Sequence, residues 1–307
     1  MKNLIYFFVL LIIFSCNQED LNPQQFNDNQ FGIWIVKEGQ LEIHDSPSDI
    51  DLNSLKLESA PWVKSSEIEF YDWSSHTFFL NTEKKKENYS GRHFVVVSKG
   101  ERLFAGVFFP MYMSSIPQLP SILPVDDFFY PTDVIQFGQL GHQFTGDIEN
   151  LGNFREELLL AGLLHEGIQV ELTNLKKKNQ TTILYSFEVT NRDKGNLYIL
   201  DPDKMGASHF HYVTNGVWFE QNNSYYFPEQ IPNEPFEKVP ESWYYKLKPG
   251  QKINRTVELA GFTSLPSGKL NCRFSFPGSI IKAGEWKKSD GRIWLGDFFV
   301  EKEMELE

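Results

Sequence analysis

From Gly167 onward, apolar and polar residues alternate in short runs separated by turn signals. The runs are GIQVELTNL, TTILYSFEVTN, NLYILD, HFHYVTNGVWFEQ, WYYKLKPG, QKINRTVELAGF and GKLNCRFSFPG. A period of two sends successive side chains to opposite faces of a pleated strand, so each run can bury one face and wet the other. Between two of them stands Lys248-Pro249-Gly250, where proline presets φ and glycine supplies the conformation a turn needs. This spacing of short strands predicts a β-sandwich over residues 166–307.

The preceding part, residues 31–165, reads as a second β-rich domain with little helix. Its first element is FGIWIVKEG, followed after a turn by QLEIHD. SEIEFYDWSSHTFFLN supplies two short strands around Asp72 to Ser75. GRHFVVVSKGERLFAGVFF reads as a hairpin turning at Ser98 to Glu101, with Gly100 at the positive-φ position. Prolines at 110, 117, 120, 124 and 131 exclude a helix or a central strand over that stretch, which is expected to be a long surface loop. DIENLGNFREELLLAGLL is the one segment that reads as a helix, with Asn153 as cap, Glu156 in its first turn and Gly162 at its end, the alternative being a strand that runs on into GIQVELTNL. The domain boundary falls near Leu164 to Gly167, where this segment gives way to regular alternation.

The chain carries 27 Phe, 12 Tyr and 7 Trp, mostly inside alternating runs, which is the composition of packed sheets. Its formal net charge of −12 opposes binding to phosphate backbones, so no nucleic-acid partner is expected. There are two cysteines, Cys16 and Cys272. Cys272, in KLNCRFSF, fits a small buried apolar residue better than a nucleophile.

Cys16 has a different context. Leu4 to Phe14 is an unbroken apolar run, LIYFFVLLIIF, preceded by Lys2. As a helix it would span roughly 16 Å, half the ~30 Å core of a bilayer, which suits the apolar centre of a signal peptide. Ile13, Ser15 and Cys16 then resemble the lipobox of bacterial lipoproteins, with a bulkier Phe14 than usual between them. The resemblance implies that residues 1–15 are a signal peptide and that Cys16 is acylated, for example with palmitate, and becomes the mature N-terminus. Residues 16–30 would then form the lipidated cysteine and its tether. Glu19 and Asp20 resemble the acidic export signal of Bacteroidota lipoproteins, implying an outer-membrane, surface-exposed location. ILYSFEVTNRDKGNLYIL further resembles the B-turn-C region of bacterial immunoglobulin-like domains, which implies fold and not function.

No nucleophile elbow, HExxH, Walker loop or dinucleotide fingerprint occurs. Asp72, Ser74, Ser75 and His76 are crowded locally, but catalytic triads assemble from distant segments, so crowding carries no argument. Glu69, Asp72, Glu156 and Glu157 are carboxylates among 41 acidic residues and define no glycosidase pair by spacing. His209 and His211, if on a strand, would share a face, with Asp201 or Asp203 as a third ligand; nothing else fixes a metal site. No cofactor is expected.

The remaining signal is aromatic residues in proline-rich loops. Tyr225, Tyr226, Phe227, Phe236, Trp243 and Tyr244 lie in NSYYFPEQIPNEPFEKVPESWYY, and Phe128, Phe129 and Tyr130 in VDDFFYP. Held at a surface, such rings would stack on a sugar or on a protein partner; folded inward, they would staple the loops to the sheets. The sequence therefore predicts a lipid-anchored envelope protein with a non-enzymatic binding or scaffolding role. The alternatives are a glycan-binding lipoprotein of an uptake system and an envelope hydrolase without a recognisable motif.

Overall fold

The computed structural model describes residues 31–307 except 44, 111, 114–116, 127–129, 139–150, 152, 230, 232–234, 280 and 307. Residues 1–15 and 16–30, expected to be signal peptide and tether, lie outside the described residues together with Phe128 and Phe129.

The first part of the chain contains β1 (Gly32–Ile35), β2 (Val63–Lys64), β3 (Ile68–Asp72), β4 (Thr77–Leu80), β5 (His93–Ser98), β6 (Glu101–Phe108), β7 (Ser121–Ile122) and β8 (Val134–Gln136). Helix α1 (Phe154–Leu160) and β9 (Leu164–His165) follow. Beyond them run β10 (Ile168–Asn179), β11 (Thr182–Asn191), β12 (Asn196–Leu200), helices α2 (Pro202–Met205) and α3 (Ala207–Thr214), β13 (Val217–Gln221) and β14 (Ser224–Tyr226). The chain closes with β15 (Tyr244–Leu247), β16 (Lys252–Ala260), β17 (Gly268–Pro277), β18 (Lys287–Lys288), β19 (Gly291–Ile293) and β20 (Asp297–Leu306). The fold is mainly β, as the alternation predicts.

Among the described residues the strands form the sheets β2-β1-β5-β6-β7, β8-β4-β3-β9, β10-β11-β16, β15-β12-β19-β18 and β14-β13-β17-β20. The β5–β6 hairpin turns at Lys99 (φ 48°) and Gly100 (φ 84°), two left-handed residues in succession. That turn matches the twist of the flanking strands. Among the described residues of the proline-rich stretch, Ser121–Ile122 pairs as a two-residue strand beside β6. Helix α1 ends before Gly162 (φ 71°), but Asn153 makes no side-chain cap and instead reaches Glu101.

The segment 202–214 is helical, where the alternation of HFHYVTNG predicts a strand. Asp201 caps α2 by accepting from the Asp203 N–H, Pro202 stands at its first turn, and Asn215 ends α3 in the left-handed conformation (φ 58°). These start and stop signals outweigh a short alternating run whose residues suit either structure.

The sheet β8-β4-β3-β9 is apolar on both faces, which determines how the two parts of the chain meet. Tyr71, Phe78 and Ile135 pack against Ile33, Phe94, Val96 and Phe108 of the first sheet. Phe70, Phe79 and Val134 belong instead to the cluster that includes Tyr185, Phe187, Phe274, Trp286 and Trp294. Phe70 stacks on Phe79 (4.5 Å), and Trp286 meets Phe79 edge-on (4.8 Å). Within the later part, Tyr185 and Phe187 of β11 face Phe274 of β17 at 5.5 and 5.1 Å, so β10-β11-β16 and β14-β13-β17-β20 pack face to face. Each such buried ring contributes on the order of 2 kcal/mol. The boundary expected at Leu164 to Gly167 therefore marks a change of sheet, while the hydrophobic core runs across it.

Candidate functional site

The β13–β14 hairpin turns at Asn222 (φ 51°) and Asn223 (φ 61°), residues that tolerate left-handed backbone. The tight turn fixes the register Phe219↔Tyr226 and Glu220↔Tyr225. Alternation then turns Phe219 and Tyr226 toward the core and sets Trp218, Glu220, Tyr225 and, continuing the strand, Phe227 on the outer face. Tyr225 is 55% and Phe227 52% exposed. Trp218 stacks on Phe227 with ring centroids 5.2 Å apart, and Tyr225 and Phe227 lie within 27° of parallel at 6.2 Å.

Next to this aromatic edge the face becomes polar. Arg273 of β17 stands opposite Trp218 in register and places its guanidinium 4.6 Å over the indole. Its Nη2 is shared between Glu220 and Glu301, each at 3.2 Å. Asn271 donates to Glu301, and Lys269 pairs with Glu303 at 3.2 Å. Gln221 clamps the sheet edge by donating to the carbonyls of Ser267 and Lys269. The result is a surface with apolar rings at one side and, at the other, carboxylates cross-linked by Arg273, Lys269 and the Asn271 amide.

Of the loop aromatics named from the sequence, Tyr225 and Phe227 lie on this face. Tyr226, one position on, packs against the core. Trp243 and Tyr244 are buried, and the Tyr244 phenol is pushed up to about 12, chiefly by burial. Trp243 packs against the rings of His209 (4.8 Å) and Phe236 (5.0 Å). Tyr130 packs against the same core, and burial raises its phenol well above the ordinary value. These rings staple loops to sheets and are not displayed. Trp218 was not singled out, although Val217-Trp218-Phe219-Glu220 alternates and marks it as outward.

The histidine pair does not form a ligand set. On helix α3, positions two apart point in divergent directions. His209 bonds the Met205 carbonyl at 3.2 Å, while His211 is buried beside Tyr185 and burial lowers it to about 4. Asp201 and Asp203 pair with Arg255. Among the described residues no three His, Cys, Asp or Glu side chains are grouped as a metal would require. Cys272 is buried, and its thiol is raised to about 12 by burial.

Nor does the crowded stretch around Asp72 form a triad. Ser74 and the Ser75 N–H donate to Asp72, while His76 bonds the Tyr71 hydroxyl at 3.2 Å. Asp72 belongs instead to a buried ionic cluster at the meeting of the two parts. Arg292 bonds both Asp72 and Asp193, and His165 pairs with Asp193 at 2.9 Å. The Trp294 indole N–H donates to Ser74 at 2.9 Å, and the Arg292 guanidinium lies over Phe70 and Phe79 at 4.8 and 5.3 Å. Both carboxylates there, Asp72 and Asp193, are bonded to Arg292, and the histidine nearest Ser74 in sequence, His76, bonds Tyr71 and not Ser74. Glu69 pairs with Lys287, and Glu157 bonds Ser98 and Lys99, while Glu156 is exposed, so the carboxylates named in the sequence do not form a pair. A cavity of about 10 Å³ lined by Lys86, Tyr130 and Gln136 has room for a single water.

No protein-family model matches the chain, and no curated protein matches it.

Proposed function

We propose that the protein is a lipid-anchored component of a bacterial cell envelope, held at the outer membrane through Cys16 and exposed at the surface, with a non-enzymatic binding or scaffolding role. The observation that carries the binding role is the outward face of β14-β13-β17-β20, where Tyr225 and Phe227 stand half-exposed on a rigid sheet. Large rings held in water without a structural task are characteristic of recognition surfaces. The location rests on Ile13, Ser15 and Cys16 after an eleven-residue apolar run. The immunoglobulin-like relationship of residues 166–307 belongs to the same proposal and is supported by two antiparallel sheets packed face to face.

Expression of the full-length chain and of Cys16→Ala in a Gram-negative host with labelled palmitate tests the anchor. The wild type takes up label and sediments with membranes; Cys16→Ala loses both properties, because acyl chains contribute ~0.8 kcal/mol per buried CH₂ and nothing replaces them. Undiminished incorporation in Cys16→Ala overturns the reading.

A further inference from the structure

We propose that Tyr225 and Phe227, backed by Trp218 and flanked by Glu220, Asn271 and Glu301, form a subsite for an uncharged saccharide chain. The assignment rests on the reading of this face as a binding surface and names its ligand class.

A pyranose has an apolar C–H face, which covers an aromatic ring, and a rim of hydroxyls that both donate and accept hydrogen bonds. The sheet offers the matching pattern. Tyr225 and Phe227 give two rings within 27° of parallel, centroids 6.2 Å apart, and Glu220 stands directly across from Tyr225 in register. Asn271 and Glu301, on β17 and β20, extend the polar side and are already joined to one another. Phe227 is stacked on Trp218 and Trp218 lies under Arg273, so the platform is held before any ligand arrives and little side-chain entropy is lost on binding.

Charge selects among saccharides. The one guanidinium nearby is shared between two carboxylates, and Glu303 extends the acidic column along β20. A uronate, sulfate or phosphate group would meet this column and a chain of net charge −12. A neutral polymer meets carboxylate acceptors, the Asn271 amide and two cations, Arg273 and Lys269, that are already paired with carboxylates.

The same features argue against macromolecular partners. A stable protein interface covers about 800 Å² per partner and is depleted of Glu and Lys at its centre. Here three rings run directly into Glu220, Glu301 and Glu303. A second copy docked on this face would set acidic columns against each other, which opposes association.

The test titrates detergent-solubilised full-length protein against soluble neutral glucans, mannans, xylans and galactans by affinity electrophoresis and calorimetry, with alginate as the acidic control. The expected result is retardation by at least one neutral polymer and none by alginate. Tyr225→Ala combined with Phe227→Ala should weaken that binding at least tenfold with an unchanged melting temperature, and Tyr225→Trp should retain it. Absence of binding to the whole neutral panel overturns the assignment, as does binding that the double substitution leaves intact. Preference for alginate, or sedimentation as a dimer that the double substitution dissolves, also overturns it in favour of an acidic glycan or a second copy. These failures leave palmitate uptake at Cys16 untouched, so the anchoring reading is judged separately.

Discussion

Arg292 Nη2 lies 2.7 Å from Asp193 Oδ2, a carboxylate ninety-nine residues earlier, and both side chains are buried. The same nitrogen bonds Asp72, from the other part of the chain. One cation thus bridges two carboxylates, Asp72 at the end of β3 and Asp193 in the turn between β11 and β12, and its Nε and Nη1 have no hydrogen-bond partner among the described residues. The faces of Phe70 and Phe79 beside the guanidinium offset some of the cost of burying it.

Arg292→Met should therefore destabilise the protein by about 3–5 kcal/mol, because two buried carboxylates lose their cation while the side-chain volume is nearly kept. Urea denaturation measures this as a lower midpoint. A loss under about 1 kcal/mol would mean that the cluster is solvated or contributes nothing to joining the two parts.

Stability should fall on acidification in two windows. Burial lowers His76 and His211 to about 4, although the Asp72 charge opposes this at His76. Both folded values lie below the unfolded one, so the unfolded chain binds more protons between pH 6.5 and 4, and stability present above 6.5 is lost as pH falls through that range. At pH 5.5 each histidine accounts for about 1.4 kcal/mol. Asp193 acts lower. Burial raises its carboxyl, but hydrogen bonds from His165 and Arg292 outweigh this and depress it, so its contribution is lost only below the ordinary aspartate range. Chemical denaturation from pH 8 to 4 should show the first decline, and His211→Phe should flatten it. A flat profile in the wild type would refute both assignments.

Gly167 sits at φ 71°, and a Cβ there would overlap Ser74 Oγ and Asp72 Oδ1. Gly167→Ala should thus strain the backbone and push apart the Asp72 site, at a cost of about 3 kcal/mol or more. Equal melting temperatures for Gly167→Ala and wild type would show that the loop relaxes freely.

The shared core leads to a prediction about fragments. A chain beginning at Gly167 loses Phe70, Phe79 and Val134 from its core, exposes Trp286 and leaves Arg292 without Asp72. Trp286 also loses the carboxylate of Asp133, to which its indole N–H donates at 2.8 Å. Such a fragment should melt well below the whole protein or fail to fold cooperatively. A cooperative transition at the temperature of the full chain would support two independently folding parts divided at Leu164 to Gly167.

The β class was legible because alternation is a local property, and so was the hairpin at Lys99-Gly100. Asp201-Pro202 and Asn215-Gly216 held the helix signals for 202–214, but the alternation of HFHYV masked them. The separation of Tyr225 from Tyr226 needed the strand register, which Asn222-Asn223 sets through backbone that no apolar pattern reveals. The pairing of Arg292 with Asp72, two hundred and twenty residues apart, has no sequence periodicity at all. Trp218 was legible from its neighbours, whereas its stacking with Phe227 depends on the hairpin.

Hydroxyl-radical footprinting of the unliganded protein measures most directly which rings the protein displays. Tyr225 and Phe227 should be oxidised at the rates of exposed side chains, with Trp243, Tyr244 and Tyr130 protected until the protein unfolds. Modification of Trp243 and Tyr244 as fast as Tyr225 would contradict the account and return the binding surface to the proline-rich loop that carries them.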